Sequence, residues 1–364
     1  MLLAIIVLAT ISWLNISAKN KPAPPIGTEI LLPKPVIVEP SNDTPRLPDL
    51  LEPDNIPQDV NPTEQVSMVG GPAKTVPPKT TRPNPVLIDG RAITDGPQTI
   101  RNYTPLVRAP IDGLNRMTPY GRVPHPHTDG RTALSTYAKP FTPKPKTKYV
   151  SLVVGGLGLN PSITRKAIDN LPGAVTLSFA AETPGLQGWV NKARAHGHEV
   201  MIELPMQGSG PVETRTLISG DSQAANTKNL EFLLSRAQGY FAVTNYDGDR
   251  LVNDETALLP IITALKDAGL GFVYDGALDD TRLGLLAKRE ALPLVNAHGY
   301  LDEERQDRAY VLRNIKTLHE DSFDNIPIGM GFAYAGTIDG IKLWLTTKPK
   351  NIELAPVSYA LKTR

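Results

Sequence analysis

Proline divides this chain in two. Of its 35 prolines, 25 lie in residues 1–150, leaving 10 for the last 214. Proline fixes φ and removes a backbone donor, so a segment this rich in it favours polyproline-like extension over ladders and helices. Pro-Ala-Pro-Pro at 22–25, Pro33-Lys34-Pro35, Pro77-Pro78, Pro83-Asn84-Pro85 and Pro143-Lys144-Pro145 mark that habit. Apolar islands such as Pro85-Val86-Leu87-Ile88 are too short for a core. Residues 19–146 therefore read as a long disordered Pro-rich tether. A packed domain has to come from 147–364, which is long enough to bury one sizeable core.

In that second part, short apolar segments alternate with helical ones. Candidate strands are 148–154, 174–180, 199–204, 240–244, 271–275, 293–295, 326–330 and 352–355. They are apolar on both faces, the habit of a parallel sheet covered by helices. Asn160 with Pro161 caps a helix over 161–170, and 185–195 carries a second. Asp221 or Ser222 caps 223–237, Asn253 or Asp254 caps 254–268, and helices at 303–320 and 338–347 complete the set. Repeated β–α units mean an α/β barrel or a doubly wound sheet; the pattern alone does not separate them.

Charge excludes little chemistry but some partners. The 38 basic and 37 acidic residues leave a net charge of +1, so no basic excess calls for nucleic acid. With no cysteine, disulfides, thiolate metal sites and a cysteine nucleophile are excluded. Leu2–Ile16 is almost wholly apolar. As a helix it spans about 22 Å, short of the roughly 30 Å hydrocarbon core. Residues 1–18 are expected to be a secretion signal, with Ile16-Ser17-Ala18 as a cleavage site, or a membrane anchor, although no Lys or Arg precedes the run.

Several segments in order carry a resemblance. They are Val153-Val154-Gly155-Gly156-Leu157-Gly158, Val175-Thr176-Leu177-Ser178-Phe179-Ala180, Ala195-His196-Gly197-His198-Glu199-Val200, Glu203-Leu204-Pro205-Met206, Val243-Thr244-Asn245-Tyr246-Asp247-Gly248, Phe272-Val273-Tyr274-Asp275 and Ile328-Gly329-Met330-Gly331. Over about 147–350 the chain resembles the divergent polysaccharide deacetylases of bacterial envelopes. The resemblance implies an irregular (β/α) barrel of about seven strands, with the site at the strands' carboxyl ends. It also implies an acidic pair after the first strand, where this chain has Gly155 and Gly156. The family's His before Leu-Pro-Met and Glu after it are here Glu203 and Gln207. Its His after the fourth strand is Tyr246, beside Asn245, and its Gly-His-Pro near the last strand is Gly331-Phe332-Ala333. Asp275 alone matches an acidic position.

A metal-dependent deacetylase needs an ion to polarise the carbonyl, a base, and an acid for the leaving group. Glycine and phenylalanine supply none of these. The expectation is a protein of carbohydrate metabolism that has lost the usual metal site and binds an envelope glycan or envelope protein through the old cleft, with no cofactor. In that reading Tyr246, Asn245, Phe332 and Tyr334 contact the ligand, and aromatic rings among them either stack on sugar or plug the pocket. The alternative is an active carbohydrate hydrolase with Asp275 and Glu203 catalytic and a rebuilt divalent-metal site of Asp247, Asp275 and Glu203, whose oxygens favour hard ions such as Mg²⁺ or Ca²⁺. Asp247-Gly248-Asp249 reads as a turn rather than a calcium loop. His196 and His198 flank Gly197 at a helix-to-strand turn and look structural. His125, His127, His298 and His319 have no identifiable metal partners. Gly208-Ser209-Gly210, followed by Pro211, is a loop and not a nucleophile elbow. The expected location is the periplasmic side of the envelope, with membrane contact through the N-terminal segment.

Overall fold

The computed structural model describes residues 103–364, apart from 279–280, 305, 321–325 and 364, together with an antiparallel strand pair, Leu87–Ile88 with Arg91–Ala92. Residues 1–86, with the expected signal or anchor, lie outside the described residues. Among the described residues no helix is long and apolar enough to cross a membrane.

The expected tether ends earlier than the proline count implies. Residues 103–146 hold an antiparallel hairpin of β1 (Asn115–Thr118) and β2 (Gly121–Pro124), and helix α1 (Ala133–Tyr137) capped by Thr132. Leu114, Val123, Ala133 and Tyr137 join the core. What ties this segment down is a buried cation. Arg194 donates to Val107 O through Nε and Nη2, at 3.1 and 2.9 Å, and through Nη1 to Tyr137 O and Gly239 O, at 2.9 and 2.8 Å. Burial lowers its pKa to about 10, and a guanidinium so placed needs these carbonyls.

The domain is a nearly closed parallel barrel. Its strands are β3 (Lys148–Leu157), β4 (Thr176–Ala180), β5 (Val200–Pro205), β6 (Ala242–Tyr246), β7 (Gly271–Tyr274), β8 (Leu294–Asn296) and β9 (Ile328–Phe332). Each of β3 to β7 pairs with the next, and β9 returns beside β3. The chain after β8 closes the circle along β9. His298 N donates to Ile328 O at 2.7 Å, Met330 N to Gly299 O at 3.1 Å, and Leu301 N to Met330 O at 2.6 Å. β10 (Ile352–Leu354) pairs with β3 at Lys148–Val150. The strands are buried on both faces, as their composition requires.

Helices cover the strands in chain order. They are α2 (Pro161–Asn170), α3 (Leu186–Ala195), α4 (Gln223–Ser235), α5 (Glu255–Asp267), α6 (Arg282–Glu290), α7 (Arg308–Glu320) and α8 (Ala335–Thr347), followed by α9 (Val357–Lys362). Asn160 caps α2 through Oδ1, Ser222 caps α4 and Asp254 caps α5, each contact worth about 1 kcal/mol. The helix expected from 303 starts at Arg308, because Asp307 Oδ1 takes the Ala309 and Tyr310 amides and fixes the first turn there. That leaves 298–304 as a strand-end loop.

The base of the barrel is plugged. Glu199, fully buried, takes Thr176 Oγ1 at 2.8 Å and Ser358 N at 3.0 Å on Oε1, and Lys139 N at 3.0 Å on Oε2. One carboxylate thus joins β4, α9 and the N-terminal segment. The open end is opposite, where the strands' carboxyl ends lie.

Candidate functional site

The carboxyl ends of β3 and β5 hold an exchange of acid for space. Val154 and Leu157 of β3 pair with Leu177 and Phe179 of β4, and the register shifts between them. Gly156 sits in this irregularity at φ +67°, a conformation that favours glycine. Its N–H donates to Glu203 Oε1 at 2.6 Å. A Cβ on Gly155 would stand 2.8 Å from the same oxygen. Where the family pattern has an acidic pair, this chain therefore keeps a gap, and Glu203 of β5 reaches across the small Ala180 of β4 to fill it.

Glu203 is 7% exposed. Burial raises its carboxyl to about 7; the Gly156 amide and the Ser178 hydroxyl oppose that rise, and the charge of Asp275 adds to it. Around it, Ser178 and Thr244 are buried, and among the described residues the Thr244 hydroxyl oxygen has no hydrogen-bond partner.

Asp275 follows β7 and is held in a planar clamp. Asn245 Nδ2 donates to its Oδ1 at 2.6 Å, while Asp275 N donates to Asn245 Oδ1 at 3.1 Å. Tyr300 Oη donates to Asp275 Oδ2 at 2.5 Å. Burial raises the Asp275 carboxyl, and the hydrogen bonds from Tyr300 and Asn245 restrain it. Burial and the neighbouring Asp275 raise the Tyr300 hydroxyl, which keeps it a donor.

Tyr300 also builds the cleft wall. Its ring stacks on Phe332, with centroids 5.1 Å apart and planes 8° apart, and Tyr334 tilts against Phe332 at 6.2 Å. Behind them, Asp302 Oδ2 takes Phe332 N at 2.8 Å and the Thr337 hydroxyl. The cavity enclosed here is about 500 Å³ and is lined by Tyr246, Asp275, Tyr300, Asp302, Phe332 and Tyr334, among others.

The residues expected at the site fall into two groups. Tyr246, Phe332, Tyr334 and Asp275 line the cavity. Asn245 does not; it is 4% exposed, and its amide bonds to Asp275 and to Asp247 O, which positions the acid. Gln207 turns away, its Oε1 accepting Ser219 N at 2.9 Å. Asp247, at φ +60°, accepts Gly210 N at 3.1 Å and pins the 208–210 loop. The expected metal set of Asp247, Asp275 and Glu203 is not assembled. Among the described residues no group of three or more His, Asp or Glu is arranged to hold an ion. Nor do imidazoles supply the missing ligands. His198 bonds Val175 O and Ile168 O with its two nitrogens, and burial holds it at about 4. The donors present thus do not fit a hydrolytic metal. Tyr300 and Asp302 are not among the site residues expected from the sequence, although the acids Asp302 and Glu303, in the loop after a strand and just past Tyr300-Leu301, are a usable signal.

The family profile described as divergent polysaccharide deacetylase matches residues 152–361. The chain belongs to that family. Among solved structures, the uncharacterized protein ATU2773 from Agrobacterium tumefaciens C58 is similar at 32% identity with a TM-score of 0.62, covering 66% of this chain and 99% of that one. Two curated bacterial proteins are also similar. The uncharacterized protein YibQ of Escherichia coli (strain K12) is 18% identical over 214 residues, 58% of this chain and 67% of that protein. An uncharacterized protein of Haemophilus influenzae (strain ATCC 51907 / DSM 11121 / KW20 / Rd) is 22% identical over 191 residues, 52% of this chain and 68% of that protein.

Proposed function

We propose that this deacetylase-family protein binds an envelope carbohydrate in its strand-end cleft without a hydrolytic metal. One observation carries the reading: Glu203, buried, occupies the space beside Gly155 and Gly156, bonded to the Gly156 amide, and among the described residues no group of three or more acids and imidazoles is arranged to hold an ion. The cavity of about 500 Å³ is in the range of ligand pockets, and its Tyr300, Phe332 and Tyr334 rings offer faces on which sugar rings stack. The test is saturation-transfer NMR of the full chain with oligosaccharides of N-acetylglucosamine, in chelator. Transfer that disappears in Phe332→Ala is the expected result. No transfer from any envelope glycan, or transfer only after a divalent ion is added, overturns the reading.

A second reading has its own support. A buried carboxyl near 7, facing an Asp275–Tyr300 pair, has the proton affinity of a general base at neutral pH. In that reading Glu203 takes a proton from water attacking an acyl carbon and passes it to the amine or alcohol that leaves as the acyl bond breaks, with no metal. Acetate release that survives chelator and is lost in Glu203→Gln selects it; no release under either condition rejects it.

The envelope location belongs to the same proposal. It is supported by the apolar Leu2–Ile16 run and the proline-rich sequence after it. Recovery of the full chain in the cytosolic fraction of a cell would overturn it.

A further inference from the structure

We propose that the cleft selects a cationic amino sugar, its ammonium group received by an acidic wall that Asp302 completes. This rests on the carbohydrate reading and adds the charge of the ligand. The wall is one-signed: Glu213, Asp247, Asp275, Asp302 and Glu303 line the cavity, and among the described residues no Lys or Arg does. Tyr300 and Phe332 stand in the same wall, stacked on each other. An anionic sugar would meet repulsion there, and a neutral one would leave the charges uncompensated.

Asp302 supplies the independent sign. It is 2% exposed, yet only Oδ2 is engaged, by the Phe332 amide and the Thr337 hydroxyl. Among the described residues Oδ1 has no hydrogen-bond partner. A carboxylate oxygen taken from water and left unpaired is unfavourable, and a structure keeps one where something else supplies the donor. An ammonium group brings three donors and the opposite charge. The aromatic pair beside it fits the rest of a sugar ring. A polyamine has the charge without the ring, so the two sources can be told apart.

The experiment is calorimetric titration of the full chain, in chelator, with three probes: a glucosamine tetrasaccharide, its fully N-acetylated counterpart, and spermidine. The expected result is glucosamine binding about tenfold or more tighter than the acetylated sugar, a preference that shrinks at high salt. Asp302→Asn keeps an oxygen for the Phe332 amide and removes the charge. It should weaken the glucosamine tetrasaccharide about tenfold and leave the acetylated one within about twofold. The double variant Glu213→Gln/Glu303→Gln, at two exposed positions, guards against a folding defect in the buried one and should also erode the preference. Equal or tighter binding of the acetylated sugar overturns the inference and leaves the carbohydrate reading standing. Spermidine binding with neither sugar bound overturns the carbohydrate reading and the amino sugar with it, leaving only a cation site. No binding of any probe overturns both.

Discussion

Replacing Glu203 by Gln should change how stability depends on pH. In the folded state burial raises this carboxyl from the ordinary 4.5 to about 7. At about 1.4 kcal/mol for each tenfold change in proton affinity, the difference is worth about 3 kcal/mol. Because the folded pKa is the higher one, the folded state holds its proton more tightly than the unfolded chain. Between pH 4.5 and about 7 the unfolded chain has lost that proton while the folded one keeps it. Stability therefore falls as pH rises through this window, and the full penalty is present above it. Glutamine stays neutral throughout and keeps an oxygen for the Gly156 N–H. The stability of Glu203→Gln relative to the parent should thus rise by up to about 3 kcal/mol from below pH 4.5 to above pH 7. In a folded body of this size that is roughly 6–10 °C in melting temperature. Thermal melts of both proteins across that range measure it, and titrating groups remote from Glu203 cancel in the difference. A difference that is flat with pH, or that falls as pH rises, refutes the buried, high-pKa description of Glu203.

Further outcomes follow from the same contacts. Gly155→Ala puts a methyl 2.8 Å from Glu203 Oε1 and should destabilise by about 1–3 kcal/mol in denaturant melts; combined with Glu203→Ala, the loss should be smaller than the sum of the two singles. Asp275→Asn removes a charge that helps raise Glu203, so the pH window of the first experiment should move to lower pH. Tyr300→Phe deletes the donor to Asp275 Oδ2 and should reduce stability by about 1–2 kcal/mol, read by chemical denaturation. Arg194→Met leaves Val107, Tyr137 and Gly239 carbonyls without their donor, and limited proteolysis should then cut within 103–141 faster than in the parent.

The barrel was legible because parallel strands buried on both faces leave continuous apolar runs, and β3 to β9 fall on those runs. The cap at Asn160 was readable outright, and those at Ser222 and Asp254 to within one residue, since such side chains act on amides two or three residues away. Contacts between distant positions were not. Gly155 and Glu203 explain each other, but they sit on strands separated by β4, and no local pattern links a missing acid at one with an acid in place of histidine at the other. Proline density obscured 103–146, where each proline is compatible with turns and caps, and the element holding the segment down is a charged residue of α3. An arginine on a helix reads as solvent-facing; only its five-donor geometry, met by carbonyls from three places in the chain, makes it core. The expected helix starts at 303, inside the stretch that Asp302 and Glu303 share, because acidic residues are ordinary at a helix start. The loop they form instead is fixed by Asp307 and by closure of the barrel against β9.

The measurement that bears most directly on the account is titration of the full chain with Zn²⁺ after chelator treatment, followed by calorimetry and elemental analysis. With Glu203 bonded to the Gly156 amide and no ion-holding group of acids and imidazoles among the described residues, the account predicts no tight stoichiometric uptake. One tightly bound ion per chain, lost in Glu203→Gln or Asp275→Asn, would contradict it and restore metal chemistry to this cleft.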